Sequence, residues 1–317
     1  MQLAILDDYQ EISGEYADWS HISQQVQIKV FSDHISEENE IVKRLQDFSI
    51  ICVMRERTPF PRTLIEKLPN LKLIVSSGMR NLGIDLQAAK DNDVIVCGTK
   101  SFGMPTAELT WGLILGLARQ IPSEDKNIRL GGWQNTVGVG LEGKTLGIAG
   151  LGKLGSRVAE IGKVFGMKVI GWSQNLTQDR CDDLGILLVG KDELMKQSDF
   201  LTIHLILSER THGLFQREDL LLMKPTAYII NTARGPIINE EALIEVLQNK
   251  IIGGAGIDVY GEEPLPHDHP LRGLNNTIVT PHLGYVEKVN YEFYHNGYVE
   301  AVSAFLNGDP KNLINGY

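Results

Sequence analysis

An arginine, a glutamate and a histidine follow three successive apolar runs in the C-terminal half of the chain. Arg234 comes shortly after the first run, Glu263 after the second and His282 after the third. An arginine can hold a carboxylate through two hydrogen bonds, and a histidine can give or take a proton near neutral pH. A carboxylate in contact with that histidine would fix its tautomer and stabilise its charged form. The set therefore suggests proton transfer on an anionic small molecule.

Each of these residues also has an ordinary structural interpretation. Arg234 could form a surface ion pair, Glu263 could be a solvated loop acid, and His282 could be a structural histidine. The apolar runs predict strands, and open α/β sheets bind ligands beyond the carboxyl ends of their strands. Because the three residues follow consecutive strand ends, the catalytic interpretation is favoured over three unrelated ones.

A glycine-rich turn with the sequence Gly-Leu-Gly-Lys-Leu-Gly occupies residues 150–155. It follows an apolar run at 145–149 and precedes a helical pattern and a second apolar run, which is the context that a dinucleotide-binding turn requires. Gly150 would permit the tight turn, Gly152 would let the backbone approach a pyrophosphate, and Gly155 would let helix and strand pack closely. The alternative is a glycine turn without a ligand, which this context disfavours.

The second strand of this motif ends without the usual acidic residue. A ribose-binding Asp or Glu is expected about 20 residues after the first glycine, but the chain has Ser173 and Gln174 there. Both can hydrogen-bond a ribose hydroxyl and neither would repel a 2′-phosphate, although they could equally form an ordinary polar turn. No arginine is adjacent in the sequence, and Arg180 is the next one downstream. The choice between NAD and NADP stays open, with a slight preference for NAD.

The bulk composition indicates a globular protein of two domains. The chain has 317 residues, of which 43% are hydrophobic and 22% charged, values that are typical of globular proteins. A formal net charge of −10 argues against nucleic-acid partners and anionic membranes. Three separated cysteines without a Cys-x-x-Cys pair predict neither a disulfide framework nor a metal site. No signal peptide or membrane-spanning run is recognised, so we expect a cytoplasmic protein.

Apolar runs alternate with helical patterns in two blocks. In the first block the predicted strands lie at 2–6, 26–31, 49–53, 72–75 and 94–96. In the second block they lie at 145–149, 168–172, 186–189, 199–203, 226–230, 253–257 and 277–279. The predicted helices include those at about 37–46, 61–67, 84–90, 105–118 and 286–306. This alternation predicts parallel sheets covered by helices, in two α/β halves with a ligand cleft between them.

The motifs resemble those of the D-isomer-specific 2-hydroxyacid dehydrogenase family. The specific pieces are the glycine turn with its strand at 146–155, Asn-Thr-Ala-Arg-Gly at 231–235, Asp-Val at 258–259 with Glu-Pro at 263–264, and Pro-His-Leu-Gly at 281–284. The similarity covers nearly the whole chain. It implies a two-domain α/β fold, in which a doubly wound Rossmann cofactor domain at 99–283 is inserted in a smaller flavodoxin-like substrate domain at 1–98 and 284–317.

The resemblance also implies a reaction and a homodimer. The reaction would be reversible hydride transfer between a D-2-hydroxy acid and NAD or NADP, with His282 as general acid/base, Glu263 as its partner and Arg234 as the substrate anchor. Asp258 would hold the nicotinamide carboxamide. The predicted cofactor contacts are Gly150, Gly152, Lys153, Leu154, Gly155, Ser173, Gln174, His204, Thr232, Ala233 and Asp258. The predicted substrate contacts are Arg55, Gly78, Met79 and Arg80.

The chain departs from the family pattern in its substrate domain. Many members carry Gly-Val-Gly followed by Asp-Asn where this chain has Ser-Gly-Met-Arg-Asn-Leu-Gly-Ile-Asp at 77–85. Arg80 is an added cation, which could bind a substrate group that other members ignore or pair with a neighbouring acid. Arg55 is expected to face the cleft, and Arg57 to be solvent-facing or paired.

A second class of function stays open on the sequence alone. Some relatives with this fold act as transcriptional corepressors, and such relatives can retain the same catalytic set, so fold does not fix function. Turnover of nicotinamide with a panel of 2-oxo acids, or co-purification of a protein partner, would distinguish an enzyme from a nucleotide-sensing binding protein.

Overall fold

Short apolar runs form the strands of two parallel sheets. The computed structural model describes residues 1–316. Its strands are β1 (Gln2–Ile5), β2 (Gln27–Val30), β3 (Ile50–Val53), β4 (Leu73–Ser76), β5 (Ile95–Gly98), β6 (Thr145–Ala149), β7 (Lys168–Trp172), β8 (Leu187–Leu188), β9 (Phe200–Ile203), β10 (Tyr228–Asn231), β11 (Gly254–Ile257) and β12 (Thr277–Val279). Each of the twelve predicted strands is confirmed, with ends within about two residues of the prediction.

Helices connect these strands and cover the sheets. They are α1 (Ser13–Tyr16), α2 (Ser20–Ser23), α3 (Glu38–Leu45), α4 (Arg62–Ile65), α5 (Leu86–Asp91), α6 (Pro105–Arg119), α7 (Ile121–Arg129), α8 (Lys153–Val164), α9 (Gln178–Leu184), α10 (Lys191–Gln197), α11 (Arg217–Leu220), α12 (Glu240–Gln248) and α13 (Lys288–Leu306). Two short 3₁₀ helices span Gly235–Ile237 and Pro270–Gly273. The chain divides into two units, one combining Met1–Gly103 with the residues from Glu287 onward and the other comprising Met104–Val286.

The first unit contains a five-stranded sheet in the order β2-β1-β3-β4-β5, with every neighbouring pair parallel. This is the flavodoxin-like strand order. Side chains of β3 alternate between two cores, since Ile51 and Val53 pack in one cluster and Ile50 and Cys52 in the other. Helix α13 covers the second cluster, where the Tyr298 hydroxyl donates to the Val53 carbonyl at 2.9 Å. Burial on both faces explains why β3 and β4 read as continuous apolar runs.

The second unit contains a seven-stranded parallel sheet in the order β12-β11-β10-β9-β6-β7-β8. Strand β6 lies between β9 and β7, so the strand order reverses at β6, as in a doubly wound dinucleotide-binding sheet. Leu146 and Ile148 of β6 pack in one cluster with Trp111 and Leu117 of α6. The predicted α/β fold class, a doubly wound sheet together with a smaller flavodoxin-like sheet, is confirmed.

Helix α13 carries a buried histidine, His295, whose ring forms no hydrogen bond within the described residues. His295 is 1% exposed, and within residues 1–316 neither of its ring nitrogens has a hydrogen-bond partner. Its ring stacks on Tyr291 at 5.7 Å and meets Tyr298 edge-on at 5.5 Å between centroids. Burial lowers the pKa of His295 from its ordinary value of 6.5, and the nearby carboxylate of Asp8 opposes that shift. The folded protein therefore holds this imidazole neutral.

We expect His295→Phe to weaken the acid sensitivity of folding. Below about pH 6.5 the imidazole of residue 295 is protonated in the unfolded chain but stays neutral in the folded chain. The free energy of unfolding therefore falls as the pH drops toward the folded-state pKa. Removing the imidazole should flatten that slope by at most about 1.4 kcal/mol per pH unit. Denaturant unfolding between pH 7.5 and 5.5 measures the slope, with the exposed His21→Gln as control. Equal slopes in wild type and His295→Phe would contradict the expectation.

Candidate active site

The glycine turn between β6 and α8 adopts a conformation that requires glycine at its first position. Gly150 has φ +100°, and its N–H donates to the Trp172 carbonyl at 2.8 Å. A Cβ at Gly150 would lie 2.8 Å from the His204 carbonyl oxygen. Side chains rarely adopt this backbone conformation, and here there is also no room for one. The turn is therefore fixed by the absence of a side chain.

The remaining glycines of the turn leave space for a ligand on one side and pack closely on the other. A Cβ at Gly155 would overlap the Gly150 carbonyl oxygen, whereas a Cβ at Gly152 would meet nothing within 4 Å. Gly152 is the N-cap of α8, and no side chain caps this helix. Lys153 in the first turn is exposed and Leu154 is half-buried. Open N–H groups beside an open glycine fit a pyrophosphate, which binds at such helix N-termini.

Helix α9, which follows β7, places a cation next to α8. Ser173 is half-buried, while Gln174 is exposed and donates from Nε2 to the Arg210 carbonyl at 3.3 Å. Arg180, in the first turn of α9, donates from Nη2 to Ser156 Oγ at 2.9 Å. Ser156 lies in the first turn of α8, so the guanidinium of Arg180 lies beside the N-terminal end of that helix. Sequence reasoning missed this contact, because it joins two helices whose mutual packing leaves no signal in the sequence.

Three further predicted cofactor contacts follow the neighbouring strands β9 and β10. His204 comes directly after β9, and its Nε2 lies 3.0 Å from Thr202 Oγ1. Burial lowers the pKa of His204 to about 4, so its imidazole is neutral at physiological pH. After β10, the buried Thr232 shares a 2.9 Å hydrogen bond with Thr110, and the Ala233 N–H donates to Asn231 Oδ1 at 3.0 Å. The three predicted cofactor contacts therefore lie just beyond the ends of β9 and β10, in segments that hydrogen bonds hold in place.

His282 and Glu263 form a short contact. His282 Nδ1 lies 2.6 Å from Glu263 Oε2, and the second carboxylate oxygen, Oε1, accepts from the Tyr260 N–H at 3.0 Å. The two side chains are 16% and 21% exposed, so solvent screens the pair only in part. With Nδ1 bound to Glu263, the imidazole can present Nε2 to a ligand. The predicted contact between these two residues is present.

Asp258 holds the segment that carries His282. Its side chain is fully buried and accepts from Thr280 Oγ1 at 2.6 Å, from the Leu283 N–H at 2.7 Å and from the Gly284 N–H at 2.9 Å. Burial raises the pKa of Asp258, and these hydrogen bonds oppose that rise. His282 itself has φ +53°, in the left-handed region. The bonds on both sides of His282 therefore stabilise a backbone conformation that most residues avoid.

Arg234 follows β10 and is fixed through its own backbone. Asn231 Nδ2 donates to the Arg234 carbonyl at 3.0 Å, and Arg234 Nη1 donates to the Ala233 carbonyl at 2.7 Å. A Cβ at Gly235 would overlap the Tyr260 carbonyl, so the turn after β10 touches the turn after β11. Strands β10, β11 and β12 are neighbours in the sheet. The carboxyl ends of the three strands therefore bring Arg234, Glu263 and His282 to one edge.

The predicted substrate contacts of the first unit lie at the carboxyl ends of β3 and β4. The Arg55 N–H donates to Ser77 Oγ at 2.8 Å, and Arg55 Nη1 approaches the Ser77 carbonyl at 3.4 Å. Gly78 has φ +84°, and a Cβ there would overlap the Arg55 guanidinium. Met79 and Arg80 follow and are exposed. The structure thus brings Arg55 and the loop at 77–80 together.

Residues 1–316 contain neither a metal-binding cluster nor a helix that could span a membrane. No cluster of three or more His, Cys, Asp or Glu side chains there is arranged to hold a metal ion. No helix in this part of the chain combines the length and apolar character needed to cross a bilayer.

Comparison with known proteins identifies the family. A family model described as D-isomer specific 2-hydroxyacid dehydrogenase, NAD binding domain, matches residues 111–284. The D-3-phosphoglycerate dehydrogenase of Methanocaldococcus jannaschii is 36% identical over 283 residues, which cover 88% of this chain and 54% of that protein. The glyoxylate reductase of Aeropyrum pernix is 36% identical over 263 residues, covering 80% of this chain and 78% of that protein.

Solved structures give the same result. A phosphoglycerate oxidoreductase from Vibrio cholerae has a TM-score of 0.92 and 38% sequence identity, covering 97% of this chain and 99% of that chain. The chain spans only about half the length of the D-3-phosphoglycerate dehydrogenases it matches, 54% in one and 45% in another. The matched family model exceeds half of the chain and coincides with the glycine turn and the strand ends described above. The chain therefore belongs to the D-isomer specific 2-hydroxyacid dehydrogenase family and carries its NAD-binding domain.

Proposed function

We propose that the protein is an NAD- or NADP-dependent oxidoreductase that interconverts a D-2-hydroxy acid and its 2-oxo acid. The observation that carries the proposal is the 2.6 Å contact between His282 and Glu263, in the same unit as an open, uncapped glycine turn. When bound, the nicotinamide supplies or accepts the hydride. The other tasks, which are binding, orientation and proton transfer, fall to side chains of this chain.

The cofactor is held by the turn between β6 and α8 and by the strand ends around it. The N-terminus of α8 binds the pyrophosphate, with Gly152 leaving room for it. Ser173 and Gln174 bond the ribose. The remaining residues proposed to line the cofactor are Gly150, Lys153, Leu154, Gly155, His204, Thr232 and Ala233. The contact of Asp258 with the carboxamide stays a prediction, because the contacts described for its carboxylate are with residues 280–284.

His282 moves the proton. Its Nδ1 contacts Glu263, and its Nε2 gives a proton to the substrate oxygen during reduction and takes one during oxidation. Glu263 orients the ring and stabilises its charged form. Arg234 anchors the carboxylate or carbonyl of the substrate, as a guanidinium can through paired hydrogen bonds. In the first unit, Arg55 and the loop residues Gly78, Met79 and Arg80 are proposed to bind the substrate.

The direct test is turnover. The full chain should oxidise NADH or NADPH when it is given 2-oxo acids, and should reduce NAD or NADP with the D but not the L isomer of a matching hydroxy acid. A suitable panel contains glyoxylate and hydroxypyruvate, which appear in the names of two relatives, and phosphohydroxypyruvate, the 2-oxo acid that corresponds to the 3-phosphoglycerate of a third. Absence of turnover with the whole panel, in protein that binds the cofactor, would overturn the proposal.

Weak discrimination between the two cofactors is expected. Ser173 lacks the charge that would repel a 2′-phosphate, and Arg180 places a cation beside the start of α8. Ser173→Asp and Arg180→Gln should each raise the preference for NAD over NADP, by about tenfold or 1.4 kcal/mol. Dissociation constants and kcat/KM for both cofactors, at one ionic strength, measure it. Arg157→Gln, which breaks a surface pair with Glu160 on α8, is the matched control. A thousandfold preference of the wild type for NAD over NADP would contradict this interpretation of Ser173 at the end of β7.

The proposed assembly is a homodimer. Helix α7 has no buried residue, although a nine-residue helix is marginal without packing. The segment from α7 to residue 140 exposes five large apolar side chains, namely Ile121, Ile128, Leu130, Trp133 and Val137. An apolar patch of this kind is costly in water, and a second copy of the chain is the commonest partner that covers one.

The buried free thiols of Cys52, Cys97 and Cys181 support a reducing compartment such as the cytoplasm.

Trp133→Asp combined with Val137→Asp is expected to convert a dimer into a monomer. Two carboxylates placed in an apolar interface lose hydration without gaining partners. Light scattering coupled to size-exclusion chromatography measures the mass. Val164→Asp, at a valine that is 85% exposed on α8, is the matched control and should remain dimeric. A monomeric wild type, or a dimeric double variant, would refute this interface.

A further inference from the structure

Arg80 is a cation whose side chain lacks a protein partner. It is exposed, and within residues 1–316 its side chain forms no hydrogen bond or ion pair. Other arginines of the first unit that are partly exposed do pair, as Arg62 does with Glu66 and Asp91 and Arg44 does with Asp33. The chain carries a formal net charge of −10, so acidic side chains are plentiful. An unpaired guanidinium is therefore notable in this protein.

The loop that carries Arg80 is fixed on both sides. Before it, the Gly78 N–H donates to Thr99 Oγ1 at 3.0 Å. After it, the buried Asn81 donates from Nδ2 to the Arg55 carbonyl at 2.6 Å and to Ser76 Oγ at 3.0 Å. These bonds hold the backbone on either side of residues 79 and 80, while both side chains project into solvent. A rigid loop with a projecting cation is a pre-organised site for an anion.

Acids near this edge of the sheet are engaged elsewhere. Asp7, after β1, accepts from Thr58 Oγ1 at 2.7 Å and contacts His34 Nδ1 at 2.8 Å. Asp85, five residues after Arg80, caps α5 by accepting from the Ala88 N–H at 2.8 Å. The alternative that Arg80 merely pairs with a neighbouring acid is therefore not what the structure contains.

We propose that Arg80 selects 2-oxo acids that carry a second anionic group, a phosphate or a carboxylate, beyond the carboxylate at C1. The inference rests on the proposed function. In that proposal Arg234 anchors the C1 carboxylate or the carbonyl of the substrate. The guanidinium of Arg80, on the loop proposed to bind the substrate, would then bind a second anionic group of the same molecule. A guanidinium binds either group through paired N–H donors.

The test compares substrates of different charge on the full chain. Glyoxylate and pyruvate carry one anionic group, oxaloacetate carries a second carboxylate, and phosphohydroxypyruvate carries a phosphate. We expect Arg80→Met to lower the ratio of kcat/KM for the better of the last two to that for pyruvate by 10- to 100-fold, about 1.4 to 2.7 kcal/mol. Arg80→Lys should restore part of the ratio lost in Arg80→Met, because lysine keeps the positive charge but lacks the paired donors of the planar guanidinium. If kcat/KM falls more for phosphohydroxypyruvate, the second group is a phosphate; if it falls more for oxaloacetate, the second group is a carboxylate.

Lys72→Met is the matched control. Lys72 is an exposed cation that precedes β4, whereas Arg80 follows that strand, so its removal changes the net charge equally and should leave the ratio unchanged. A ratio unaffected by Arg80→Met, or lowered as much by Lys72→Met, would overturn the inference and leave the proposed function standing. A wild type that reduces none of the four acids would overturn the proposed function itself. Thermal melting of each variant shows whether it is folded.

Discussion

His282→Asn is expected to lower kcat by about 10²- to 10⁴-fold, the usual worth of a positioned general acid or base. Asparagine is chosen because residue 282 has φ +53°, a conformation that asparagine tolerates better than alanine does. The flanking bonds to Asp258 come from the backbone N–H groups of Leu283 and Gly284, so the substitution leaves them in place. Cofactor affinity should therefore stay near the wild-type value, and the loss should appear in kcat.

A companion variant tests whether the histidine acts through Glu263. Glu263→Gln should lower kcat less than His282→Asn does, because the imidazole remains while its orientation and charge stabilisation weaken. The double variant should be no slower than His282→Asn alone, since Glu263 has nothing left to orient. His269→Gln is the matched control, because His269 also contacts a glutamate, Glu240, at 3.3 Å. Additive losses, or near-wild-type kcat in His282→Asn, would remove the pair from the mechanism.

The strands of this fold could be predicted because burial on both faces leaves a simple signal. Every residue of β3 and β4 is buried, so each strand reads as a largely apolar run. Helix α7 gives only a weak signal, because none of its residues is buried and Ile121 and Ile128 are its only large aliphatic side chains. Helices α1 and α2 are four residues each, too short for a periodic pattern. What the sequence hides is therefore structure that packs little within this chain.

The site divides in the same way. Residues that follow strands could be located from sequence, because parallel strands deliver their carboxyl ends to one edge. The contact between Arg180 and Ser156 could not, since it joins residues of two helices that pack only in three dimensions. The bonds of Asp258 to residues 280–284 were also hidden, because a buried carboxylate and a ligand-binding one look alike in sequence. Strand ends predict where chemistry occurs, and tertiary contacts decide which side chains face it.

Arg234→Met is expected to lower kcat/KM for the best 2-oxo acid by about 10²- to 10⁴-fold. A hydrogen bond to a charged group contributes about 1.5 to 3 kcal/mol, and a guanidinium can make two to one carboxylate. The backbone of Arg234 is tied by Asn231, and the next residue, Gly235, lies against the Tyr260 carbonyl. Methionine keeps the length of the side chain and loses its donors. The fold and the cofactor site should therefore survive while the substrate anchor is lost.

The pattern of loss separates an anchor from a structural arginine. Arg234→Lys keeps the charge without the planar fork, so it should recover only part of kcat/KM. Arg217→Met is the matched control, since Arg217 makes a bidentate surface pair with Glu245 in the same unit. That variant should retain wild-type kinetics, because exposed pairs contribute little. A cofactor dissociation constant that rises as steeply as kcat/KM falls in Arg234→Met would show that residue 234 supports the fold of the cofactor site rather than the substrate.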